Sequence, residues 1–595
     1  MPPKKQKTKI DLKPLNENKY FVRGLFSLFI VLVIVLTTYK VEDDDIYWHL
    51  ATGRFIVENK YVPDKDVFGL TTQNSEWIPF EWGWDVISYG LYNIGGYPAL
   101  FIFRSLIICL IFYLLFRLLN KFKVNSVISI VLLFLLVFAM LDRLSPRPHL
   151  FSYLFLTLIL YLFLTFKYFD RDKYFKRLYF LPLIFLLWGN IHMGVIAGGL
   201  LLFIFVLSEV LIYYIPKRFS TSEIKPITKE HLKKLVFISI LSAFVLLINP
   251  HGLHTYQYAF GHTKMKMLES ITEWQNPFNG MIDKNFIVIL YYVFLFGGVI
   301  ILFYSYKKKD ITFALIYIVF SIYSVRAVRF AVDYEIIMMF FIAESINYFL
   351  KSSFKPGLKT SKIFFGNPVK IIIAIFFVFI LYTAQSNSLY ISLKYLRMSG
   401  WGMNEYYEPV GLYKFMSDNN ISGVPLNNYE SGGYLIWNFP GQKNFIDSRN
   451  LNDDIFNEYM SILFMNPGFD KKLEQYGFDF VIYYEPHLAK FPDDMKRKIT
   501  LYLSTQNNWK LVYWDDMSML FVKDVPKFYD LINKYEYKIF KPYSAVFARK
   551  EFEAKIKENP DLASKEIKRK EQSEPNGYFF GGMYDIANKV LKNVH

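Results

Sequence analysis

The sequence predicts a mostly α-helical, polytopic membrane protein: a transmembrane helical bundle of about eleven spans, followed by a C-terminal extracytoplasmic α/β domain. Three observations predict it. The 595-residue chain is 53% hydrophobic and 19% aromatic, with 60 Phe and 45 Tyr, a composition that suits lipid better than water. Apolar stretches approaching the ~20 residues needed to cross a bilayer recur along it. Lys and Arg gather in alternate loops.

The apolar stretches are 22–39, 98–118, 124–141, 150–166, 178–191, 193–215, 235–249, 286–304, 310–325, 329–349 and 369–386. Several are short, and one pair is divided only at Asn190–His192. The basic loops run from Lys4 to Arg23, Arg117 to Lys123, Lys167 to Arg177, Lys217 to Lys234, Lys307 to Lys309 and Lys351 to Lys370. Basic residues stay on the cytoplasmic side of a membrane. This register places the N-terminus in the cytoplasm and, with eleven spans, everything beyond about residue 387 outside, as in an inner (cell) membrane protein. The net charge of +16 is thereby explained by orientation, and no nucleic-acid motif accompanies it. The single cysteine, Cys109, lies in an apolar stretch and excludes an internal disulfide framework. The first span reads as a retained signal anchor, because no small-residue cleavage site follows it.

Four regions follow: a basic cytoplasmic N-terminus (1–21), the transmembrane domain (22–389) with a long first outer loop (40–97), the α/β domain (390–524), and a Lys/Glu-rich tail (525–595), helical or partly disordered. In the first outer loop, apolar residues at helical spacing predict helices over 45–58 and 81–93, lying flat on the membrane, with a turn at Pro63. In the α/β domain the predicted strands are 423–426, 434–438, 444–446, 478–484, 510–514 and 519–523. The predicted helices are 409–419, 453–464, 470–476 and 492–506. Strands alternating with helices imply a small layered domain.

The chemistry begins directly after the first span, at Asp43-Asp44-Asp45 followed by Tyr47-Trp48-His49. Carboxylates crowded beside lipid repel one another and persist only if something offsets that cost. Further polar residues fall on the same predicted outer side: Glu81, Arg143, Arg147, His149, His192, His251, His254, Glu273, Arg326 and Arg329. Such a set describes a cavity at the outer membrane interface. Each has a plainer reading. Glu81 caps a helix, Arg147 in Ser145-Pro-Arg-Pro-His149 reaches lipid headgroups from a rigid turn, Arg326 and Arg329 anchor span ends, and His192 and His251 serve turns. Together, however, they suit sugar transfer from a polyprenyl phosphate. A carboxylate takes the acceptor's proton, and guanidiniums stabilise the leaving phosphate. The lipid tail keeps the site at the membrane boundary.

These residues resemble a widespread prokaryotic group of multi-pass proteins related to the GT-C superfamily of lipid-phosphate-sugar-dependent glycosyltransferases. The resemblance starts at Asp43-Asp-Asp-Ile-Tyr-Trp-His-Leu-Ala-Thr-Gly-Arg54, similar to Asp-x-Asp-Leu-Trp-Trp-His-Leu-x-Thr-Gly. It continues at Phe80-Glu-Trp82, Ser145–Tyr153, Trp188–His192, Ile248–Gly252, Thr272–Gln275, Asn428–Trp437 and Asn444–Arg449. Tyr47 replaces the first tryptophan of the pair, and Asp44 replaces a frequent proline. The resemblance implies a GT-C-like architecture and a first-loop acid as catalytic group, Asp43 or Asp45, with Glu81 assisting or helping to hold a divalent cation. Mg²⁺ or Mn²⁺ would suit such hard oxygen donors. His49, Arg143, Arg147, His149, His192, Arg326 and Arg329 are the candidate substrate-binding residues. Glu430, Asp447 and Arg449 are candidates at an acceptor-recognising edge.

The expected partners are the bilayer, a polyprenyl-phosphate-linked sugar, and a glycan, lipid or protein acceptor. The alternative is a non-catalytic membrane protein, a lipid-linked glycan transporter or envelope-assembly scaffold. Asn at positions 43 and 45 separates the two, since only an enzyme loses turnover.

Overall fold

The computed structural model describes residues 18–215, 226–353, 366–449, 451–485, 498–542, 544–574 and 577–593. The basic N-terminus through residue 17, parts of two basic loops and residues 492–497 of the predicted 492–506 helix lie outside them; the rest of that stretch is helical over Ile499–Thr505. The chain forms two compact units. One holds the chain up to Lys40 together with Phe80–Lys264 and Leu268–Trp401; the other holds Val41–Pro79, Met265–Met267 and everything from Gly402 on. The first outer loop is thus divided, its residues 41–79 folding with the C-terminal residues.

In the first unit a helix occupies each of the eleven apolar stretches. Six meet the length and apolarity for crossing a membrane: Lys19–Thr37, Trp82–Lys121, His149–Tyr168, Val195–Tyr214, Phe286–Lys308 and Asn367–Gln385. The protein is accordingly a multi-pass membrane protein. Ser126–Ala139 and Ile311–Ser324 are apolar but shorter. Ala331–Ser353 carries Asp333, Glu335 and Glu344 among its apolar residues. The predicted helix at 81–93 is the first part of Trp82–Lys121, which bends at Gly95 and Gly96. Gly96 has φ +61°, the left-handed backbone that an L side chain disfavours, and Pro98 follows.

His149–Tyr168 is the interior helix, with 78% of its most apolar stretch buried, whereas Asn367–Gln385 is peripheral at 22%. Several polar groups buried in this unit have local partners, as lipid favours. Arg104 is fully buried; its guanidinium donates to the Thr37 and Tyr39 carbonyls at the end of the first helix and stacks 3.9 Å from the Tyr39 ring. Glu209 accepts from Lys167 and Arg171, each at 2.7 Å. That clasp lies at the end of the interior helix opposite His149, roughly 27 Å along the axis.

The second unit is built on a four-stranded sheet of order β1-β2-β4-β3: Pro425–Leu426, Phe480–Tyr484, Ser518–Lys523 and Trp509–Trp514, for β1, β2, β4 and β3 respectively. β1 and β2 are parallel and the other pairings antiparallel. Two predicted strands are corrected. Residues 434–438 belong to the helix Gly432–Asn438, and 444–446 form a loop with a single bridge, Gly69 to Asn444. Apolar runs of that length do not discriminate strand from helix.

The helix Asp45–Asn59 does not lie flat on lipid. Its Ile46, Tyr47, Leu50 and Ile56 are buried within its own unit, and Tyr47 packs edge-on against Tyr434 at 4.6 Å. The tail is helical over 549–558, 560–573 and 578–591. Its Phe552, Ile556, Ile567 and Phe580 join one core with Leu511, Trp514 and Phe521 of the sheet. Glu566 fastens it further, accepting the backbone N–H groups of 538, 539 and 540.

Candidate functional site

Two polar constellations emerge, one in each unit. The first contains the aspartate triplet. Asp43 is buried and its Oδ1 accepts the backbone N–H of Asp45 at 3.1 Å, which satisfies a free donor at the start of the 45–59 helix. Asp45 is half-buried, and its Oδ1 accepts the Ser448 hydroxyl at 2.5 Å. Asp44 accepts from the Tyr407 hydroxyl at 3.3 Å. Burial, then the charges of Glu408 and Glu430, push the Asp44 carboxyl well above its usual range. Burial pushes neighbouring Glu408 up to about 8, against the Tyr47 hydroxyl and with help from Asp43.

His49, a candidate ligand, is fully buried against the Trp48 ring at 3.7 Å, so its place is in the core. Asp447 and Arg449 form no open recognition edge either. Arg449 is buried between Asp447 (2.7 Å) and Asp66 (2.8 Å) and stacks 4.6 Å from the Trp77 ring. Burial of the Asp66 carboxyl is outweighed by Arg449 and the Thr72 hydroxyl, which hold it below its usual range. Glu430 is exposed.

The second constellation lies in the membrane unit, where the interior helix begins. Arg143 Nη2 is 2.8 Å from Glu273 Oε2, and Arg329 Nη1 is 3.4 Å from Glu273 Oε1. Burial alone would raise Glu273; the guanidiniums of Arg143, Arg329 and Arg147 override it and hold the carboxyl far below its usual range. Arg329 also stacks 4.2 Å from the Trp274 ring. His192 Nε2 faces Glu81 Oε1 at 3.5 Å. Its Nδ1 accepts from Gly194 N–H at 3.1 Å and lies 2.6 Å from the Ser152 hydroxyl, whose oxygen accepts the Trp188 indole N–H at 2.7 Å. The neutral ring therefore carries its proton on Nε2, toward Glu81. Burial, then Arg329 and Arg143, push His192 down to about 3. His149 Nε2 donates to the Arg143 carbonyl at 2.9 Å. Arg326 is exposed and forms no ion pair among the described residues.

The sequence reading set Glu81, Arg143, Arg147, His149, His192, Glu273 and Arg329 in one cavity with Asp43, Asp45, His49, His251, His254 and Arg326; the structure brings Arg143, Glu273 and Arg329 together, and Glu81 with His192. The sequence reading missed Ser152, Trp188 and Ser448. All three lie in stretches that carry the resemblance, which was the available signal.

Beside this group runs an apolar groove of about 560 Å³, lined mainly by Trp82, Val86, Ile87, Leu187, Ile191 and Ile248. Trp82 donates its indole N–H to Asn190 Oδ1 at 3.0 Å, closing one wall. Gly83 permits the approach: a Cβ there would sit 2.6 Å from the Asn190 carbonyl oxygen.

The chain shares its fold with an archaeal oligosaccharyltransferase. The structure of AglB from Archaeoglobus fulgidus in complex with an inhibitory peptide and a dolichol-phosphate superposes with a TM-score of 0.50 at 11% identity, over 85% of this chain and 75% of that one. The oligosaccharyltransferase of the same organism in the apo form gives 0.50 at 12%, over 86% and 75%. At this level of identity the likeness is one of fold alone. No protein-family model matches the sequence, and no curated protein matches it.

A divalent cation does not fit the described residues. No three His, Cys, Asp or Glu side chains among them converge to hold one. Asp43 and Asp45 spend carboxylate oxygens on a backbone N–H and a hydroxyl. No step below runs through a metal.

Proposed function

We propose that this protein is an integral-membrane glycosyltransferase that moves a sugar from a polyprenyl-phosphate donor to an acceptor on the outer face of the membrane, with the N-terminus cytoplasmic. One observation carries the reading: the guanidiniums of Arg143 and Arg329 converge on Glu273 where the interior helix begins and act on His192, whose neighbour Ile191 lines an apolar groove. A phosphate joined to a long hydrocarbon chain needs both. Charged hydrogen bonds from Arg hold the headgroup, and apolar walls hold the first part of the chain. The fold supports the same reading, since AglB was solved with a dolichol-phosphate and a peptide. A peptide is accordingly one acceptor class, beside a glycan or lipid hydroxyl.

In the reaction the acceptor nucleophile attacks the anomeric carbon as the bond from that carbon to the phosphate oxygen breaks. The bonding electrons stay with the phosphate, where Arg143 and Arg329 stabilise the growing charge. The acceptor's proton passes to a carboxylate, which we assign to Asp45. Asp43 is buried and engaged in capping its helix, whereas Asp45 is half-buried and accepts the Ser448 hydroxyl. Glu81 assists by holding His192 in its tautomer.

The test is purified protein in lipid nanodiscs with radiolabelled polyprenyl-phosphate sugars and candidate acceptors. Transfer of label that is lost in Asp45→Asn is expected. Full transfer by Asp45→Asn removes the assigned base, and no transfer from any donor by the wild type sinks the reading.

A further inference from the structure

Both walls of the apolar groove lead into a titratable residue. Trp82 and Gly83 line one wall and follow Glu81 directly; Asn190 and Ile191 line the other and precede His192 directly. The walls are joined there by the Trp82 bond to Asn190 at 3.0 Å, and His192 Nε2 faces Glu81 Oε1 at 3.5 Å. These two side chains keep 12% and 15% of their surface exposed, so a small group of a ligand can reach both. His149 connects this end to the arginines: its ring lies 6.5 Å from the His192 ring, and its Nε2 donates to the Arg143 carbonyl.

The hydrogen bonds behind His192 run in one direction, fixed from the interior. An indole only donates. Ser152 therefore accepts the Trp188 N–H at 2.7 Å and keeps its own hydrogen for His192 Nδ1, 2.6 Å away. The Gly194 N–H donates to the same nitrogen at 3.1 Å. Ser152 and Trp188 are fully buried, and a Cβ at Gly194 would stand 2.3 Å from the Ser152 oxygen, so this packing requires glycine there. Nδ1 must accept, and Nε2 stays a donor.

A fixed N–H beside a carboxylate is matched to hydroxyl groups, which accept from the one and donate to the other. The same pair is a poor place for a phosphate, because the carboxylate opposes a like charge; the guanidiniums of Arg143 and Arg329 suit that group. We propose that Glu81 and His192 form the subsite for hydroxyls of the donor's sugar, with Ser152 and Trp188 as positioning residues that keep His192 Nε2 a donor. The inference rests on the donor being a polyprenyl-phosphate sugar. A site built to bond a hydroxyl discriminates against a ligand without one.

The test measures equilibrium binding of two probes to the purified protein in nanodiscs without acceptor, with thermal unfolding of each variant as a check on folding. One probe is bare polyprenyl phosphate. The other is the polyprenyl-phosphate hexose or N-acetylhexosamine that the wild type transfers faster. Wild type is expected to bind the sugar-bearing lipid about tenfold more tightly than the bare one. Glu81→Gln and His192→Phe should each lower affinity for the sugar-bearing lipid about tenfold, and for the bare lipid less than about twofold. Trp188→Phe, which keeps a ring but loses the N–H, and Ser152→Ala should each lower it about threefold. Nitrogen NMR of the histidines should then show His192 partly protonated on Nδ1 in both. Equal losses for the two probes, no loss for either, no preference in wild type, or losses that track a lower unfolding temperature overturn the inference and leave the donor class standing. An unchanged His192 tautomer in both Trp188→Phe and Ser152→Ala overturns the positioning role. A wild type that binds neither probe and transfers neither sugar overturns the functional reading and this inference together.

Discussion

Glu273 lies between two guanidiniums, 2.8 Å from Arg143 and 3.4 Å from Arg329. On the proposed reading, a carboxylate in that position competes with the donor's phosphate for the same guanidiniums and sets the affinity of the site.

Replacing that carboxylate tests the competition. Glu273→Gln should raise affinity for polyprenyl phosphate severalfold, while Arg143→Gln and Arg329→Gln should each lower it about tenfold, since a charged hydrogen bond contributes roughly 1.5–3 kcal/mol. Equilibrium binding of a fluorescent polyprenyl phosphate to the purified protein measures all three. Weaker binding in Glu273→Gln would contradict phosphate recognition by this pair.

Glu408 predicts how stability depends on pH. Its carboxyl is raised from 4.5 to about 8 in the folded protein, so the folded state holds a proton that the unfolded state has released. The stability is present in full below about pH 4.5 and is lost as pH rises through about 8. The span corresponds to a few kcal/mol at most. Thermal unfolding followed between pH 5 and 9 should show a falling midpoint in the wild type and a much flatter one in Glu408→Gln. An equal slope in both would mean that Glu408 is not the group that titrates.

The Arg449 clasp should dominate the folding of the second unit. Arg449→Ala leaves Asp447 and Asp66 buried without their cation and should cost about 3–5 kcal/mol. Arg449→Lys should recover little, because an ammonium cannot reproduce the planar fork. Denaturant unfolding followed by tryptophan fluorescence, with Trp77 against the guanidinium, reports both. A cost below about 1 kcal/mol in Arg449→Ala would show the clasp to be incidental.

In the membrane unit, Gly198→Ala should displace Trp188. The added Cβ would sit 2.3 Å from the indole ring, and Trp188 holds Ser152, which holds His192. Overpacking of this kind costs about 1–3 kcal/mol, and here it should also lower transfer activity by loosening His192 beside Glu81. Gly199→Ala is the control, since nothing lies within 4 Å of a Cβ there. Equal behaviour of the two variants would remove the packing argument.

Much of the architecture was legible because its signals are local. Apolar stretches located the long helices of the membrane unit but not short ones such as Leu253–His262, and short apolar runs located β3 and β4. The same rules failed at 434–438, which folds as helix, because four consecutive apolar residues satisfy either periodicity. They also failed for the helix 45–59. Its apolar spacing predicts a lipid-facing helix, whereas Tyr434, nearly four hundred residues later, packs on its Tyr47.

The candidate site divides in the same way. The kinds of residue were fixed by the chain itself: acids after the first span, arginines and histidines at the ends of later ones, placed by the alternation of basic loops. Which of them act together was decided by tertiary structure. Nothing near Asp45 in sequence indicates Ser448, nothing near Arg449 indicates Asp66, and nothing near Arg143 indicates Glu273. Periodicity and charge register between neighbours along the backbone, whereas a buried carboxylate is satisfied by whatever donor folding brings to it, and that donor is usually distant in sequence.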